Sequence, residues 1–154
     1  MLENIPVDVI DVILQNVDNK KELSMCSKTL SQKMIDTGRI NSLKFNWSDD
    51  ASSIITQQCK YDKYLKEIHF DSVSNPFMLV ILNVDKLILE NCRITETVNT
   101  KVYVKELVLK YWFYESVVID LDLFPELERV THTIFVNVKL CNAGDRIVEV
   151  VKMF

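Results

Sequence analysis

The sequence predicts an α/β fold in which two N-terminal helices precede a short solenoid of parallel strands. Three observations indicate this fold: a helical apolar pattern opens the chain, apolar triplets recur about every twenty residues, and the whole chain contains only two glycines. Of the 154 residues, 48% are hydrophobic and 26% are charged, which is the composition of a folded domain rather than of a disordered chain.

The first helix is predicted from aliphatic residues that recur at helical spacing. Pro6 suits the beginning of a helix, and Asp8 and Asp11 lie favourably near the positive end of its dipole. Val7 and Val12 widen the apolar stripe beyond the ~100° that a surface helix buries. The pattern therefore predicts apolar surface that is left over for a partner. The periodic positions are Ile5, Val9, Ile10, Ile13, Leu14 and Val17.

A second helix is predicted from about Lys21 to Asp36, after a polar break at residues 17–21. Its apolar face consists of Leu23, Cys26, Leu30 and Met34. Gly38 then provides a stop, because glycine readily adopts the left-handed conformation that ends helices.

The remainder of the chain carries a degenerate repeat. Its clearest unit is VDKLILENCRI, in which apolar residues occupy the positions L-x-x-L-x-L-x-x-C-x-L. The first positions of successive units lie 25, 19, 20 and 23 residues apart, close to the known 20–29-residue period of leucine-rich repeats. The units are Ile40/Leu43/Phe45, Leu65/Ile68/Phe70, Val84/Leu87/Leu89, Val104/Leu107/Leu109 and Leu127/Val130/His132.

Each triplet predicts a short strand whose alternate side chains point into a shared core. The alternative is an antiparallel α+β sheet, but the chain contains no Asn-Gly or Asp-Gly hairpin turn, and connections of 15 or more residues favour parallel neighbours. On the return segments, Ser52 and Ser53 could cap a helix and Pro76 could begin one, whereas residues 93–101 are too few for a long helix. The tail, residues 145–154, is either a sixth strand or a capping segment.

Residues 2–36 resemble an F-box, and the units that follow resemble leucine-rich repeats. The resemblance divides the chain into an F-box-like helical domain, residues 1–38, and a leucine-rich-repeat-like domain of about five degenerate repeats, residues 39–154. One departure is plain, because the tryptophan that many F-boxes carry late in the motif is absent from KTLSQKM. The matching positions are Ile5-Pro6, Asp8, Val9-Ile10, Ile13-Leu14, Val17, Asp18, Leu23, Met25-Cys26 and Ser27-Lys28.

This resemblance implies a non-catalytic receptor that binds a Skp-type adaptor and, through it, the cullin scaffold of a ubiquitin ligase. The repeat domain would then recruit an unknown protein target. The alternative is an interaction module that binds or competes for the adaptor without serving a ligase, and a plain helix pair that caps the following domain is also possible. The resemblance assigns adaptor binding to Ile5, Pro6, Val9, Ile10, Ile13, Leu14 and Val17.

Target binding is predicted on the concave surface formed by the residues between and beside the core positions. These residues give a mixed-charge surface with two aliphatic side chains, which suits a protein or peptide partner. In the aromatic segment KYWFYE we expect Tyr111 and Tyr114 to be more exposed than Trp112. The predicted surface comprises Glu67, His69, Asp71, Lys86, Ile88, Glu90, Glu106, Val108, Lys110, Arg129, Thr131 and Thr133.

Charge and hydropathy argue against other classes of partner. The net charge of −4 and the absence of a basic run make nucleic-acid binding unexpected. The longest apolar run, FMLVIL, is far shorter than the ~20 residues of a membrane span. The N-terminus has no basic segment of a secretory signal. We therefore expect a protein of the cytoplasm or nucleus that does not bind membranes.

The sequence predicts neither a metal, nor a cofactor, nor a catalytic site. Four cysteines are spaced too widely for a zinc site and are expected to be reduced thiols, and two glycines cannot build a phosphate-binding loop. We expect His69 on the concave face and His132 at a partly buried position, without a nucleophile beside them. Asp120 and Asp122 are two residues apart and are expected to share one solvated strand face.

Overall fold

A computed structural model describes residues 6–16, 28, 32, 34, 40–95, 98–111, 116–134 and 136–154. These residues include two α-helices, α1 (Val7–Gln15) and α2 (Ala51–Tyr61), and one 3₁₀ turn (Pro76–Leu79). The strands are β1 (Ser42–Asn46), β2 (Glu67–Asp71), β3 (Val84–Glu90), β4 (Val104–Lys110), β5 (Val117–Asp120), β6 (Arg129–Thr133), β7 (Val138–Cys141) and β8 (Glu149–Met153).

The strands form a parallel β-solenoid. Six of them make one sheet in the order β1-β2-β3-β4-β6-β8, and β5 and β7 pair in a second, two-stranded sheet. Every strand pairing between the elements given above is parallel. The prediction of parallel strands is therefore confirmed, and the antiparallel alternative is wrong for this part of the chain. The tail forms β8, the sixth strand of the sheet.

Two rows of side chains run across the six-stranded sheet. Their members on β1–β4 and β6 point into the core, as the apolar triplets predict, whereas their members on β8 are exposed. The rows arise because each triplet pairs in register with the next, and successive side chains of a strand alternate between its faces. The first row contains Leu43, Ile68, Leu87, Leu107, Val130 and Val150, and the second contains Phe45, Phe70, Leu89, Leu109, His132 and Lys152.

The return segments change along the chain from helical to extended. The first return is α2, which places Ile54, Gln58 and Tyr61 against the core. The second contains the 3₁₀ turn, which begins at Pro76 as predicted. The returns after β4 and β6 contain β5 and β7, which the sequence analysis did not predict as a second sheet.

Two local expectations on these returns are wrong. The cap of α2 is Asp50 rather than a serine, because its carboxylate accepts a hydrogen bond from the Ser53 N–H at 2.7 Å. Asp120 and Asp122 do not share a strand face, since β5 ends at Asp120 and the chain then turns. In that turn Asp120 accepts a hydrogen bond from the backbone N–H of Asp122 at 3.0 Å, which replaces strand geometry with a local side-chain-to-backbone turn.

The N-terminal residues share the core of the solenoid. Ile10 of α1 and Met34 are both buried, and they belong to the same apolar cluster as the strand residues. Of the predicted second helix, the structure describes Lys28, Gln32 and Met34, all in helical conformation. The helical domain predicted for residues 1–38 and the repeat domain predicted for residues 39–154 therefore contribute to one continuous core where they are described.

Candidate binding surfaces

The first candidate surface is the outward side of α1. Val9 is 42% exposed and Val12 is 58% exposed, whereas Ile13 is half-buried. Val9 and Val12 lie three residues apart and therefore share one side of the helix. Neighbouring Pro6, whose carbonyl accepts hydrogen bonds from the Val9 and Ile10 N–H groups at 3.1 Å, is exposed as well. We call Pro6, Val9 and Val12 the α1 outer face.

The predicted adaptor-binding residues separate into three groups. Val9 and Pro6 are accessible, and Ile13 is partly accessible. Ile10 is 2% exposed, so the expectation that its side chain faces outward is wrong, because the helix turns this residue into the solenoid core. Ile5, Val17 and the side chain of Leu14 lie outside the described residues.

The second candidate surface is the face of the six-stranded sheet that points away from the core, here called the outer sheet face. Pairing brings its predicted residues into rows across the strands. One row contains Glu67, Lys86, Glu106, Arg129 and Glu149, and the next contains Lys44, His69, Ile88, Val108 and Thr131. A third row contains Asn46, Asp71, Glu90 and Lys110. Tyr111 is exposed beside this row, and Tyr114 lies outside the described residues.

The first of these rows is a ladder in which acidic and basic residues alternate. Adjacent members are direct cross-strand neighbours of opposite charge, which attract one another. At its end, Nε of Arg129 donates to Oε2 of Glu149 at 2.7 Å, which raises the pKa of the guanidinium. With three acidic and two basic members the ladder has a net charge of −1, so it offers a partner little net charge of one sign.

The two aliphatic residues expected to be accessible on this face are buried. Ile88 is 8% exposed and Val108 is 3% exposed, and the neighbouring Thr131 is also buried. Strands of one sheet lie only ~4.8 Å apart, so the longer side chains that flank these short ones restrict the access of water to them. The expectation that Ile88 and Val108 present an apolar contact surface is therefore wrong. Exposed atoms on this face belong mainly to charged side chains.

His69 forms a specific polar contact on the outer sheet face. Its Nε2 lies 2.9 Å from Oε2 of Glu90, and both side chains are mostly buried. Burial, followed by the positive charge of Lys44, lowers the pKa of His69, and the hydrogen bond and charge of Glu90 offset this lowering only in part. We therefore describe the contact at neutral pH as a hydrogen bond from a neutral imidazole to a carboxylate, rather than as an ion pair.

One prominent exposed residue was not singled out from the sequence. Trp47 is 79% exposed in the turn between β1 and α2. A tryptophan is usually well buried, so the residue type alone does not indicate that Trp47 is exposed. The run of turn-forming residues around it, Asn46-Trp47-Ser48-Asp49-Asp50, is the one sequence feature that could have indicated a surface position.

The described cysteines differ in burial, since Cys59 is exposed and Cys92 is enclosed. Cys92, the cysteine of the clearest repeat unit, is buried and its thiol donates to the carbonyls of Phe70 and Glu90 at 3.4 Å. Burial raises its pKa to about 11, so the thiol is protonated at neutral pH. Within the described part of the chain, no three His, Cys, Asp or Glu residues are grouped as metal ligands would be. No helix there is long and apolar enough to cross a membrane.

Comparison of the chain with protein-family models, with curated proteins and with solved structures found no match. The two surfaces are therefore characterised by their own geometry. One is a short apolar helix face whose opposite side is anchored in the core, and the other is a sheet face of mixed charge.

Proposed function

We propose that the chain is a non-catalytic receptor that binds a Skp-type adaptor through the α1 outer face and a protein target through the outer sheet face. In this proposal the adaptor connects the chain to a cullin scaffold, and ubiquitin transfer is performed by other subunits. The observation that carries the proposal is the exposure of Val9 and Val12 on a helix whose buried residue, Ile10, already packs into the core.

The physical argument concerns the two sides of one short helix. Nine residues form a marginal helix in water unless one side packs against the rest of the protein, and Ile10 provides that packing. Exposing two valines on the other side has no corresponding benefit for folding. Covering them in an interface would contribute favourable free energy at ~25 cal/mol per Å² of apolar area. Pro6 and Val9 of this face are among the residues to which the F-box resemblance assigns adaptor binding.

A second candidate function is an interaction module that occupies the adaptor without delivering a target. Burial of Ile88 and Val108 favours this candidate, because it leaves the outer sheet face with little apolar area to anchor a target. Interface anchors are usually large apolar, aromatic or arginine side chains. The two candidates share the α1 outer face and differ only in what the sheet binds.

Adaptor binding is tested by co-purification of the full chain with a Skp-type adaptor. We expect the double variant Val9→Asp/Val12→Asp to lose binding by at least about tenfold, because a partner would have to bury two unpaired carboxylates. Val118→Asp is the matched control, since Val118 is a valine on β5 with 61% exposure. Ile10 is unsuitable for this test because a charge there would unfold the core.

The outcome separates the alternatives. Unchanged co-purification of the double variant, with its thermal unfolding also unchanged, would overturn adaptor binding through this face. Where the adaptor does bind, a reconstituted cullin ligase distinguishes the two candidates. Ubiquitination of a protein captured by the wild-type chain supports the receptor, whereas inhibition of ubiquitination by other receptors supports the competing module.

A further inference from the structure

Trp47 is the largest exposed side chain at the end of the outer sheet face where strands β1–β3 terminate. The turn that carries it is fixed by hydrogen bonds: the Asn46 N–H donates to Oδ2 of Asp49 at 2.8 Å, and the Ser48 N–H donates to the Asn46 side chain at 3.0 Å. The Asp49 N–H also donates to the Asn46 carbonyl at 3.0 Å. An aromatic side chain held on a rigid turn loses little conformational entropy on binding.

Carboxylates surround this turn. Asp49 and Asp50 lie two and three positions after Trp47, and each accepts a hydrogen bond from a backbone N–H. Asp71 is the cross-strand neighbour of Asn46, and Glu90 is the neighbour of Asp71 on the next strand. Lys44 offsets one of these charges through its 3.4 Å contact with Asp71. An exposed indole in a turn that also carries two aspartates, with Asp71 on the neighbouring strand, is complementary to a cation that also has a flat, apolar surface.

We propose that this surface, formed by Trp47 with Asp49, Asp50 and Asp71, binds an arginine side chain in an extended basic segment of another protein. The guanidinium would stack on the indole and donate hydrogen bonds to the adjacent carboxylates, which a lysine ammonium could do only in part. The inference goes beyond adaptor binding and does not depend on it, because the surface lies on the β1–α2 turn and contains no residue of α1.

The test uses the full chain labelled with ¹⁵N and a blocked peptide, acetyl-Gly-Arg-Ser-Arg-Gly-amide. Its matched partner replaces both arginines with citrulline, which keeps the shape and removes the charge. We expect a saturable shift of the Trp47 indole N–H signal, assigned with Trp47→Phe, together with shifts of the backbone amides of residues 46–50 and 71–72. Binding should weaken about tenfold with the citrulline peptide and with Trp47→Ala.

A charge-matched pair of variants makes the assignment specific. Asp71→Asn removes the partner of Lys44, and Asp85→Asn removes the partner of Lys105, which lies 3.5 Å from Asp85. We expect several-fold weaker binding for Asp71→Asn and unchanged binding for Asp85→Asn. The inference is overturned by an absence of saturable shifts at Trp47, by equal affinity for the citrulline peptide, or by equal losses in both aspartate variants. Preserved dispersion of the spectra establishes that each variant is folded.

Discussion

The first half of the solenoid, strands β1–β4, differs from the second half, strands β5–β8, in the side chains that fill the core. Both core rows are apolar and fully enclosed through β4, where Leu107 and Leu109 have no exposed surface. The second row then becomes polar with His132 on β6 and Lys152 on β8. A solenoid core is stable only where each layer has neighbours, so polar residues in a core row are tolerated only near an end of the sheet.

The two halves also differ in the hydrogen bonds that join neighbouring return segments. In the first half, Gln58 is completely buried and bridges two returns, since its amide donates to the Leu79 carbonyl at 2.6 Å and accepts from the Ile81 N–H at 3.1 Å. In the second half, β5 and β7 are joined by a backbone ladder instead. The first two returns are therefore joined through a buried polar side chain, whereas β5 and β7 are joined through main-chain hydrogen bonds.

The largest expected effect distinguishes the interior of the first core row from its end on β8. Leu107→Ala should lower the free energy of unfolding by about 2–5 kcal/mol, because it leaves a cavity in a fully enclosed layer. Val150→Ala should lower it by well under about 1 kcal/mol, since Val150 is already 45% exposed. Urea titration of both variants measures the difference. Comparable losses would show that β8 is packed as tightly as β4, contrary to the contrast drawn between the halves.

Gln58→Leu should produce the next largest loss and test the side-chain bridge of the first half. The change leaves the Leu79 carbonyl and the Ile81 N–H without their partner, at a cost of roughly 1–3 kcal/mol for each buried group left unsatisfied. Gln57→Leu is the control, because Gln57 is the half-buried neighbour on the same helix. Chemical denaturation should show a loss for Gln58→Leu only, and equal behaviour of the two variants would contradict the bridge.

The parallel arrangement of the strands was predictable because it depends on alternation and spacing within the chain. A shift of one residue would turn Leu87 and Leu89 out of the core, so the apolar triplets fix the register strongly. The burial of Ile88 and Val108 was not predictable from that pattern, since it depends on which side chains the neighbouring strands place beside them. The alternation of residues along each strand places Ile88 and Val108 on the correct face of the sheet, but it does not give the exposure of their side chains.

Other features depend on contacts that no short sequence window contains. β5 and β7 pair in register, with Val117 beside Val138, although 21 positions separate them in the chain. Each segment alone is a brief alternation that many loops also show. The outward exposure of Trp47 similarly depends on where the β1–α2 turn meets the sheet. For the predicted adaptor-binding residues, periodicity identified an amphipathic helix, but it could not decide that Ile10 faces inward while Val12 faces outward.

The residues that follow β2, β3 and β4 can be compared in their backbone conformation. Ser72, Asn91 and Tyr111 follow β2, β3 and β4, and all three have left-handed backbone conformations, with φ values of 60°, 51° and 50°. Asparagine tolerates this conformation, whereas a tyrosine is strained in it. Tyr111→Asn should therefore raise the free energy of unfolding by about 0.5–1 kcal/mol, and Asn91→Tyr should lower it by a similar amount. Thermal unfolding of both variants checks this reciprocity, which an unchanged or lower stability of Tyr111→Asn would contradict.

The smallest expected effect is a pH dependence that belongs to the first half. His69 lies on β2, whereas the same outer row contains Thr131 on β6, which does not titrate. The pKa of His69 in the folded chain lies below its ordinary value of 6.5, with burial as the main cause, so the unfolded chain binds the proton more readily. The contribution of His69 to stability therefore falls as the pH drops below about 6.5 through the folded pKa. Urea titration of wild type and His69→Gln at pH 7.5 and pH 5.0 isolates the contribution of His69 from those that the two proteins share. The wild type should lose more stability than the variant on acidification, whereas a gain would mean that the charge of Glu90 outweighs the burial of the imidazole.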